Sequence, residues 1–491
     1  MFADDASRGD GGRASAQRSK PDGRRGHTRP CPGAGTALDI PLELLPHIFE
    51  LLPFADQRRA ALVCRRWWAC LSHGTSGALW EDVGIDFPSE VGCRRLNVHG
   101  VVAWLRGKPI RCLRLKNSYK VRARDVAPTS MPVAVGTLHS TLEELHVLHC
   151  SNILGVRSLQ ALGDVLVKLK VLVVTGIRAS LRLGLSDFGP LSHLPLLEHL
   201  ELSVADRTDN WGFMTLPDSW QMLASTLKHL KLKSHDGLTQ EGAQVVTTLT
   251  RLEVLCMEDC GLSGLPTGFG ALSGLRCLTL NASSITKDKL QAITQLSHLR
   301  ELHLRGCSVL RQVPTGIDHL TSLMVLTLGG SISQFGLYWG DLASLTLLRV
   351  LDLDACGIGA VPKAVCALQS LQLLSLGRNR LEAASLDNLA PLSNLQFLCL
   401  RDCSLTEIPG VLMHLKLVKM VDLSNNSQLR IPTPVTWLAS LHHLLRIDLR
   451  KSADAPEDTA WDSLSISHLI GLVAMLVTMR GSTTRSIVQI I

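Results

Sequence analysis

The chain has 491 residues, of which 46% are hydrophobic and only 4% aromatic, a composition that predicts a large aliphatic core. Its net charge of +7 is too small to indicate nucleic-acid binding by itself. The longest late apolar run, Leu469–Met479, has 11 residues, fewer than the ~20 that a transmembrane helix needs, so we expect no membrane partner.

Residues 1–36 hold seven basic and four acidic groups among many Gly, Ser and Pro, which predicts a disordered basic tail. The start of the chain lacks the charged-then-apolar pattern of a secretory leader. Fourteen cysteines in such a chain predict reduced thiols, and hence a location in the cytoplasm or the nucleus.

Residues 37–86 are predicted to form short helices. Pro41 suits a first helical position, and aliphatic residues then recur at helical spacing over Leu44–Leu52. A second apolar stripe follows over Val63–Leu71, and Trp80 marks a third helix. Apolar stripes on so small a unit are typical either of a docking surface or of a plain helical cap on the scaffold behind it.

The order of these residues resembles an F-box, with Ile40-Pro41 first, Val63-Cys64-Arg65-Arg66-Trp67 in the second helix, and Leu79-Trp80 last. The resemblance implies docking onto a Skp-type adaptor, and through it onto the cullin of a Skp–cullin–F-box ubiquitin ligase. The adaptor-binding side chains that it implies are Pro41, Leu44, Leu45, Ile48, Leu52, Val63, Cys64, Trp67, Leu71 and Trp80.

From Ile110 onward, aliphatic residues recur at the first, fourth and sixth positions of a unit that begins 14 times, at spacings of 23 to 32 residues. This period resembles the leucine-rich repeat, in which each unit adds one strand to a stack. We therefore predict an α/β repeat fold: a small all-helical F-box, then a solenoid with a curved parallel sheet and a helical or irregular convex side. Residues 87–109 would be a helical linker or N-terminal cap and 110–460 the repeats. Residues 461–491 would be a C-terminal cap or a degenerate repeat.

The later repeats alternate in pairs. Cysteine occupies the ninth position in every second repeat, and a proline follows it: Cys260 with Pro266, Cys307 with Pro314, Cys356 with Pro362, and Cys403 with Pro409. The prolines predict extended convex segments, whereas the intervening Thr286–Leu296 is expected to be helical. Cysteines at this position, such as Cys150 and Cys356, are expected to donate weakly to backbone carbonyls.

The sequence lacks the common phosphate-binding, hydrolase and metalloprotease motifs, which favours a non-catalytic protein without a cofactor. The close cysteine pairs Cys256–Cys260 and Cys399–Cys403 should point in different directions, so no metal site is predicted there. Aromatic residues in Asp206–Gln221 and Phe335–Trp339 either contact a partner or fill gaps under their own loops.

Variable strand positions are expected to form a polar concave face of mixed charge that binds an unidentified protein target. The predicted target-binding residues are Arg114, Lys231, Lys233, Glu258, His303, Arg305, Asp352, Asp354, Arg401 and Asp422. The resemblance implies a substrate-recognition subunit that presents this target for ubiquitination. One alternative is a leucine-rich-repeat interaction scaffold unrelated to ubiquitin. Another is a receptor gated by a small molecule, which would need a converging basic pocket for a polyphosphate.

Overall fold

A computed structural model describes residues 82–86, 110–116, 141–149, 162–177 except 164, 185–204, 215–234, 237–310, 312–331, 340–430, 441–450 and 489–490. The predicted tail, the F-box helices up to residue 81, and the linker at 87–109 lie outside these residues. So do Cys150, the loop Phe335–Trp339, and nearly all of 461–491. Within the described part of the chain, no helix is both long and apolar enough to cross a membrane.

In the described residues, sixteen parallel strands form one sheet, and their order in the sheet is their order in the chain. This topology is the predicted solenoid, because each repeat adds its strand beside the preceding one. The strands are β1 (Asp82–Asp86), β2 (Cys112–Lys116), β3 (Glu144–Leu148), β4 (Val171–Ile177), β5 (His199–Val204), β6 (His229–Lys233), β7 (Val254–Glu258), β8 (Cys277–Thr279), β9 (Glu301–His303), β10 (Val325–Thr327), β11 (Val350–Asp352), β12 (Leu373–Ser375), β13 (Phe397–Cys399), β14 (Met420–Asp422), β15 (Arg446–Asp448) and β16 (Gln489–Ile490).

The core lies on one side of this sheet and consists mainly of leucine. The register places equivalent leucines side by side, as in the row Leu230, Leu255, Leu278 and Leu302. All four are fully buried. A single repeat has no second layer to cover such residues, so each unit depends on its neighbours for burial worth about 1.5–3 kcal/mol per leucine.

Short helices cover the other side of the core, and nearly all of them are 3₁₀ helices. They span Leu185–His193, Asp218–Ser225, Gln244–Thr248, Phe269–Ala271, Lys287–Gln295, Ile317–His319, Gly340–Ser344, Lys363–Cys366 (α-helical), Ala383–Leu389 and Gly410–His414. The helix expected within Thr286–Leu296 is confirmed. Trp220, in the loop with aromatic residues, is fully buried and donates from Nε1 to the carbonyl of Phe188 at 3.0 Å. This ring therefore fills the core.

The expectation that prolines keep the convex segments extended is wrong. Pro362 and Pro409 directly precede helices and themselves have extended backbone, with ψ of 133° and 124°. Their carbonyls accept the first helical hydrogen bonds, from Val365 at 3.0 Å and Leu412 at 3.2 Å. Proline fits this place because its ring presets φ and because the start of a helix does not use its missing N–H group.

The sheet extends beyond the predicted array at both ends. β1 pairs in register with β2, so residues 82–86, which were expected to belong to the F-box helices, form a strand of the solenoid. At the other end, Gln489 pairs with Arg446, so the segment predicted to be a C-terminal cap or a degenerate repeat contributes a strand to the sheet. In β1, Val83 and Ile85 lie opposite Leu113 and Leu115, so the aliphatic pattern begins one repeat before Ile110.

Each repeat leaves its strand through a turn that is held by a buried ladder. Ladder position is our name for the ninth residue of each repeat: Cys260, Ser283, Cys307, Ser331, Cys356, Asn379, Cys403 and Asn426. The residue before it is left-handed, as at Ala355 and Arg378, both with φ of 54°. That conformation disfavours residues with a Cβ, so the ladder must hold it in place.

Thiols and amides alternate along the ladder. Cys307 and Cys356 donate from Sγ to the carbonyls of Leu280 and Leu328, at 3.1 and 3.4 Å. This confirms the predicted role of Cys356 as a weak donor. Asn379 instead binds backbone groups of the preceding repeat, accepting from the N–H group of Cys356 and donating to the carbonyl of Leu353. Ser331 and Asn426 likewise accept the N–H group of the cysteine in the repeat before them.

Candidate binding site on the concave face

Opposite the leucine core, each strand presents its first, third and fifth residues on the face that we call the concave face. In β6 these are His229, Lys231 and Lys233, which are half-buried, while the leucines between them are buried. The alternation is the period-two geometry of a strand with one covered face. Seven of the ten predicted target-binding residues lie at such strand positions, and Arg305, Asp354 and Arg401 continue the alternation two residues after β9, β11 and β13.

Three residues of this face, together with Arg378 from the turn after β12, form an ionic network in the middle of the sheet. Arg305 donates to the carboxylate of Asp352 and, at 2.9 Å, to Asp354. Arg378 donates to Asp354 from Nε at 3.2 Å and also from Nη2. Arg305 comes from two repeats before the carboxylates and Arg378 from the repeat after them, and both guanidinium groups bind Asp354.

Glycine makes room for this network. A Cβ at residue 329 would lie 2.8 Å from Asp352 Oδ2, and one at residue 377 would lie 2.8 Å from Asp354 Oδ1. Because real Cβ atoms do not approach oxygen so closely, Gly329 and Gly377 are the residues that let the carboxylates lie flat against the sheet.

The network takes two predicted contact residues away from the surface. The side chain of Asp352 has no exposed area and that of Asp354 has 6%, so both carboxylates are buried within the network. Burial raises the pKa of Asp352, although Arg305 acts in the opposite direction. A hydrogen bond to Asp354 raises the pKa of Arg378. The direct role of Asp352 and Asp354 is to hold Arg305 and Arg378 in place.

Beyond the network, the first concave position becomes apolar over five consecutive strands. Val350, Leu373 and Phe397 are buried against one another, and Val325 and Met420 pack on them. This row lies on the side of the sheet that faces away from the leucine core. In the described residues no second layer covers it, so these apolar side chains are available as a contact surface.

A pocket opens at the C-terminal end of this row. Leu373, Phe397 and Met420 line its apolar side, while Asp422 and the basic side chains of three residues line its polar side: Arg401, Arg446 and Arg450. Arg450 is held by Asp448, its Nη2 lying 2.7 Å from Oδ2. We call this the concave pocket.

The N-terminal half of the concave face is polar and internally paired. Arg114 lies 2.6 Å from Asp82, and Lys233 lies 3.7 Å from Glu258. Lys231 lies near Glu201, whose pKa is lowered by a hydrogen bond from His199 and by the neighbouring lysines.

The converging basic pocket that a polyphosphate-gated receptor would need is not formed by the basic residues considered for it. Arg114 and Lys116 are in β2, whereas Lys231 and Lys233 are in β6. Four strand spacings separate these pairs, about 19 Å. The described part of the chain therefore gives this alternative no support.

Each close cysteine pair points in two directions, as predicted. Cys260 and Cys403 lie in the ladder and donate to the carbonyls of Leu232 and Leu376, at 3.4 and 3.2 Å. Cys399 instead faces Asp422 across the sheet, with Sγ 3.7 Å from Oδ2. Burial raises the pKa of the Cys256 thiol to about 11 and that of Cys403 to about 12, so both are protonated at neutral pH.

Sequence reasoning missed several residues of the concave pocket. Phe397, Met420, Arg446 and Arg450 were absent from the predicted target-binding set, whereas Arg401 and Asp422 were in it. A usable signal existed, since the residue two places after each repeat start is aliphatic, aromatic or methionine from Val325 to Met420. The adaptor-binding residues predicted between 41 and 80 lie outside the described residues.

Comparison with known proteins divides the chain into two parts. Residues 37–84 match the family model described as F-box-like. F-box only protein 33 of Homo sapiens is 40% identical over 62 residues, which are 13% of this chain and 11% of that protein. The volume-regulated anion channel subunit LRRC8B of Mus musculus is 31% identical over 186 residues, 37% of this chain and 23% of that protein. The chain thus spans less than a quarter of either relative.

Among solved structures, a leucine-rich-repeat protein of Leptospira interrogans superposes with a TM-score of 0.50 at 22% identity, covering 70% of this chain and 79% of that one. Together with the parallel sheet, this shows the fold: a leucine-rich-repeat solenoid. Because an F-box-like segment precedes the repeats, the chain is more particularly an F-box/leucine-rich-repeat protein. Such an architecture is that of a protein-interaction module and is typical of non-catalytic adaptors and receptors.

Proposed function

We propose that the protein is the substrate-recognition subunit of a Skp–cullin–F-box ubiquitin ligase. The observation that carries the proposal is the continuity between its two parts. The F-box-like match ends at residue 84, and residues 82–84 already belong to β1 of the sheet. A docking segment that runs directly into the solenoid suits a protein that must hold a target at a set distance from a bound partner.

In this role the chain supplies position and no chemistry. The F-box-like segment binds the Skp-type adaptor and thereby the cullin, and the repeats hold a target protein. Holding two reactants together replaces a bimolecular encounter with an intramolecular one, and this removes a large part of the barrier to many reactions. The nucleophilic thiol for ubiquitin transfer belongs to an enzyme elsewhere in the assembly.

The target contact is assigned to the concave pocket. Its apolar side can take one large apolar side chain, and the arginines beside it can take an acidic neighbour of that side chain. Apolar anchors in a pocket with a charged rim carry most of the binding energy in protein interfaces. The buried carboxylates Asp352 and Asp354 keep Arg305 and Arg378 ordered on the concave face, which lowers the entropy that binding at these arginines costs.

Adaptor docking is tested by co-purification of the full-length chain with a Skp-type adaptor and cullin. Leu45→Asp and Trp67→Ala are expected to abolish capture while the circular dichroism of the repeats is unchanged. Leu347→Asp is the matched control, since Leu347 is 54% exposed on the repeats, and it should retain capture. If the wild-type chain captures no adaptor, the repeat-scaffold alternative is favoured.

Target binding is tested by proximity labelling with the wild-type chain, Met420→Glu and Met413→Glu. Met420 lines the pocket, whereas Met413 lies in the convex helix Gly410–His414 and is 50% exposed. A target should disappear from the Met420→Glu sample, persist with Met413→Glu, and lose its ubiquitination in the Leu45→Asp variant. Partners that survive Met420→Glu unchanged would place the contact elsewhere.

A further inference from the structure

Three side chains of different chemistry converge on the concave face between β8 and β9. Cys277 is directly opposite Glu301 in the register, and His303 is two residues further along β9 on the same face. The thiol sulfur, a carboxylate oxygen and an imidazole nitrogen all lie within 4.8 Å of one another. His303 Nε2 is 3.6 Å from Glu301 Oε2.

The next strand holds the imidazole in place. His303 Nδ1 lies 3.1 Å from the hydroxyl oxygen of Thr327 in β10. When Nδ1 donates its proton to that hydroxyl, Nε2 carries the lone pair and faces the carboxylate and the thiol. Ring orientation by a hydrogen bond on the second nitrogen is the usual arrangement for a histidine that binds a metal.

The same grouping of residue types occurs a second time, six repeats earlier. Cys112 in β2 is opposite Glu144 in β3, and His146 is two residues further on. Their donor atoms also lie within 4.8 Å of one another, with His146 Nε2 3.3 Å from Glu144 Oε2. These are the two groups of this kind in the described residues. The same three residue types therefore occur twice at the same register positions. An ion pair between histidine and glutamate would explain two of these residues but not the cysteine beside them.

We propose that Cys277, Glu301 and His303 bind one Zn²⁺ ion through Sγ, a carboxylate oxygen and Nε2. Sulfur, nitrogen and oxygen donors of these types are the ones that Zn²⁺ takes, at about 2.0–2.3 Å. Tetrahedral coordination at that distance needs donors about 3.5 Å apart, which small side-chain rotations reach from the present positions. The thiol releases its proton to solvent on binding.

Three protein ligands leave one coordination position open towards the solvent on the concave face. In the isolated protein, water occupies it. Sites of this kind exchange their fourth ligand readily, unlike structural sites with four protein ligands. The inference rests on the concave face alone and does not depend on the proposed role in ubiquitination.

The test uses full-length protein carrying Cys112→Ser, so that the second triad cannot contribute its thiolate. After treatment with chelator and dialysis, the protein is titrated with Co²⁺ and, separately, with Zn²⁺ in competition with a chromogenic chelator. We expect one equivalent of Co²⁺ to produce the thiolate-to-cobalt charge-transfer band and the visible bands of tetrahedral coordination. Zn²⁺ should then displace it.

Four further substitutions are made in that background, and circular dichroism verifies that each variant is folded. Cys277→Ser should abolish the charge-transfer band, and His303→Gln should weaken binding by more than about tenfold. Thr327→Val should keep the band but weaken binding by about 10- to 100-fold, as expected for a positioning residue. Cys366→Ser, in the convex helix Lys363–Cys366, should change nothing.

Two results would overturn the proposal. One is a Co²⁺ complex without a charge-transfer band, or whose band survives Cys277→Ser. The other is an affinity for Zn²⁺ that is the same in the background protein, Cys277→Ser and His303→Gln. Neither result bears on adaptor capture, which is measured with the Leu45→Asp variant.

Discussion

Replacing Asn379 with alanine tests the ladder most directly. Its Oδ1 accepts hydrogen bonds from the backbone N–H groups of Cys356 and Ile358, both at 3.0 Å. Its Nδ2 donates to the carbonyls of Leu353 and Leu376, at 2.9 and 2.8 Å. Only 1% of the residue is exposed, so alanine would leave these groups buried without the amide.

The expected cost follows from the two orphaned N–H groups. A buried polar group left without a partner costs about 1–3 kcal/mol, so two give about 2–6 kcal/mol. Local relaxation of the turn recovers part of this, and we expect the free energy of unfolding to fall by about 2–4 kcal/mol. The matched control is Asn394→Ala, because Asn394 is exposed and its Nδ2 donates to the carbonyl of Gln369 at 2.8 Å. That variant should stay within about 0.5 kcal/mol of wild type.

Urea unfolding followed by circular dichroism measures the difference between Asn379→Ala and Asn394→Ala. Because the stability of a solenoid is spread over its repeats, amide hydrogen exchange provides the local measurement. The amides of Cys356 and Ile358 should lose protection in Asn379→Ala and keep it in the control. Equal unfolding midpoints together with unchanged protection at both amides would refute the reasoning.

Two further predictions concern the ionic network and its glycines. Arg305→Ala should cost about 2–4 kcal/mol in urea unfolding, because it leaves the fully buried carboxylate of Asp352 without a cation. Since burial raises the pKa of Asp352, its contribution is present below the unfolded-state pKa and is lost as pH rises through the folded-state pKa. The deficit of Arg305→Ala should therefore grow from acidic to neutral pH, and adding Asp352→Asn should reduce it; a deficit that does not vary with pH would contradict this. Gly377→Ala should cost about 1–3 kcal/mol through overlap with Asp354, whereas Gly410→Ala, whose Cβ would meet nothing within 4 Å, should be nearly neutral; equal unfolding midpoints would show that the glycine is not needed for the network.

The strands and the ladder were predictable because they repeat. Predicted repeat starts at Leu252 and Leu275 lie two residues before β7 and β8, and the ninth position gave the ladder residues. Periodicity also indicated which residues face away from the core. A residue pattern that recurs in every repeat indicates the packing that all repeats have in common.

Contacts between particular repeats were not predictable in this way. The burial of Asp352 depends on Arg305, which is 47 residues earlier and two strands away, and on the missing side chain of Gly329. The grouping of Cys277 with Glu301 likewise appears only when two strands are placed in register. The repeat spacing gives the register of the strands, but it does not show which of the side chains brought together form a contact.

The alternation along the ladder limits how the length of the protein can change. At Ser331, Asn379 and Asn426, the side chain accepts the N–H group of the preceding cysteine, at 2.8, 3.0 and 2.9 Å. Loss of the serine or asparagine repeat alone would place two cysteine repeats side by side, and the first would have no such acceptor. Loss of a pair would restore the match. Insertions and deletions in this region should therefore be tolerated in steps of two repeats, so the sheet should change in length by two strands at a time.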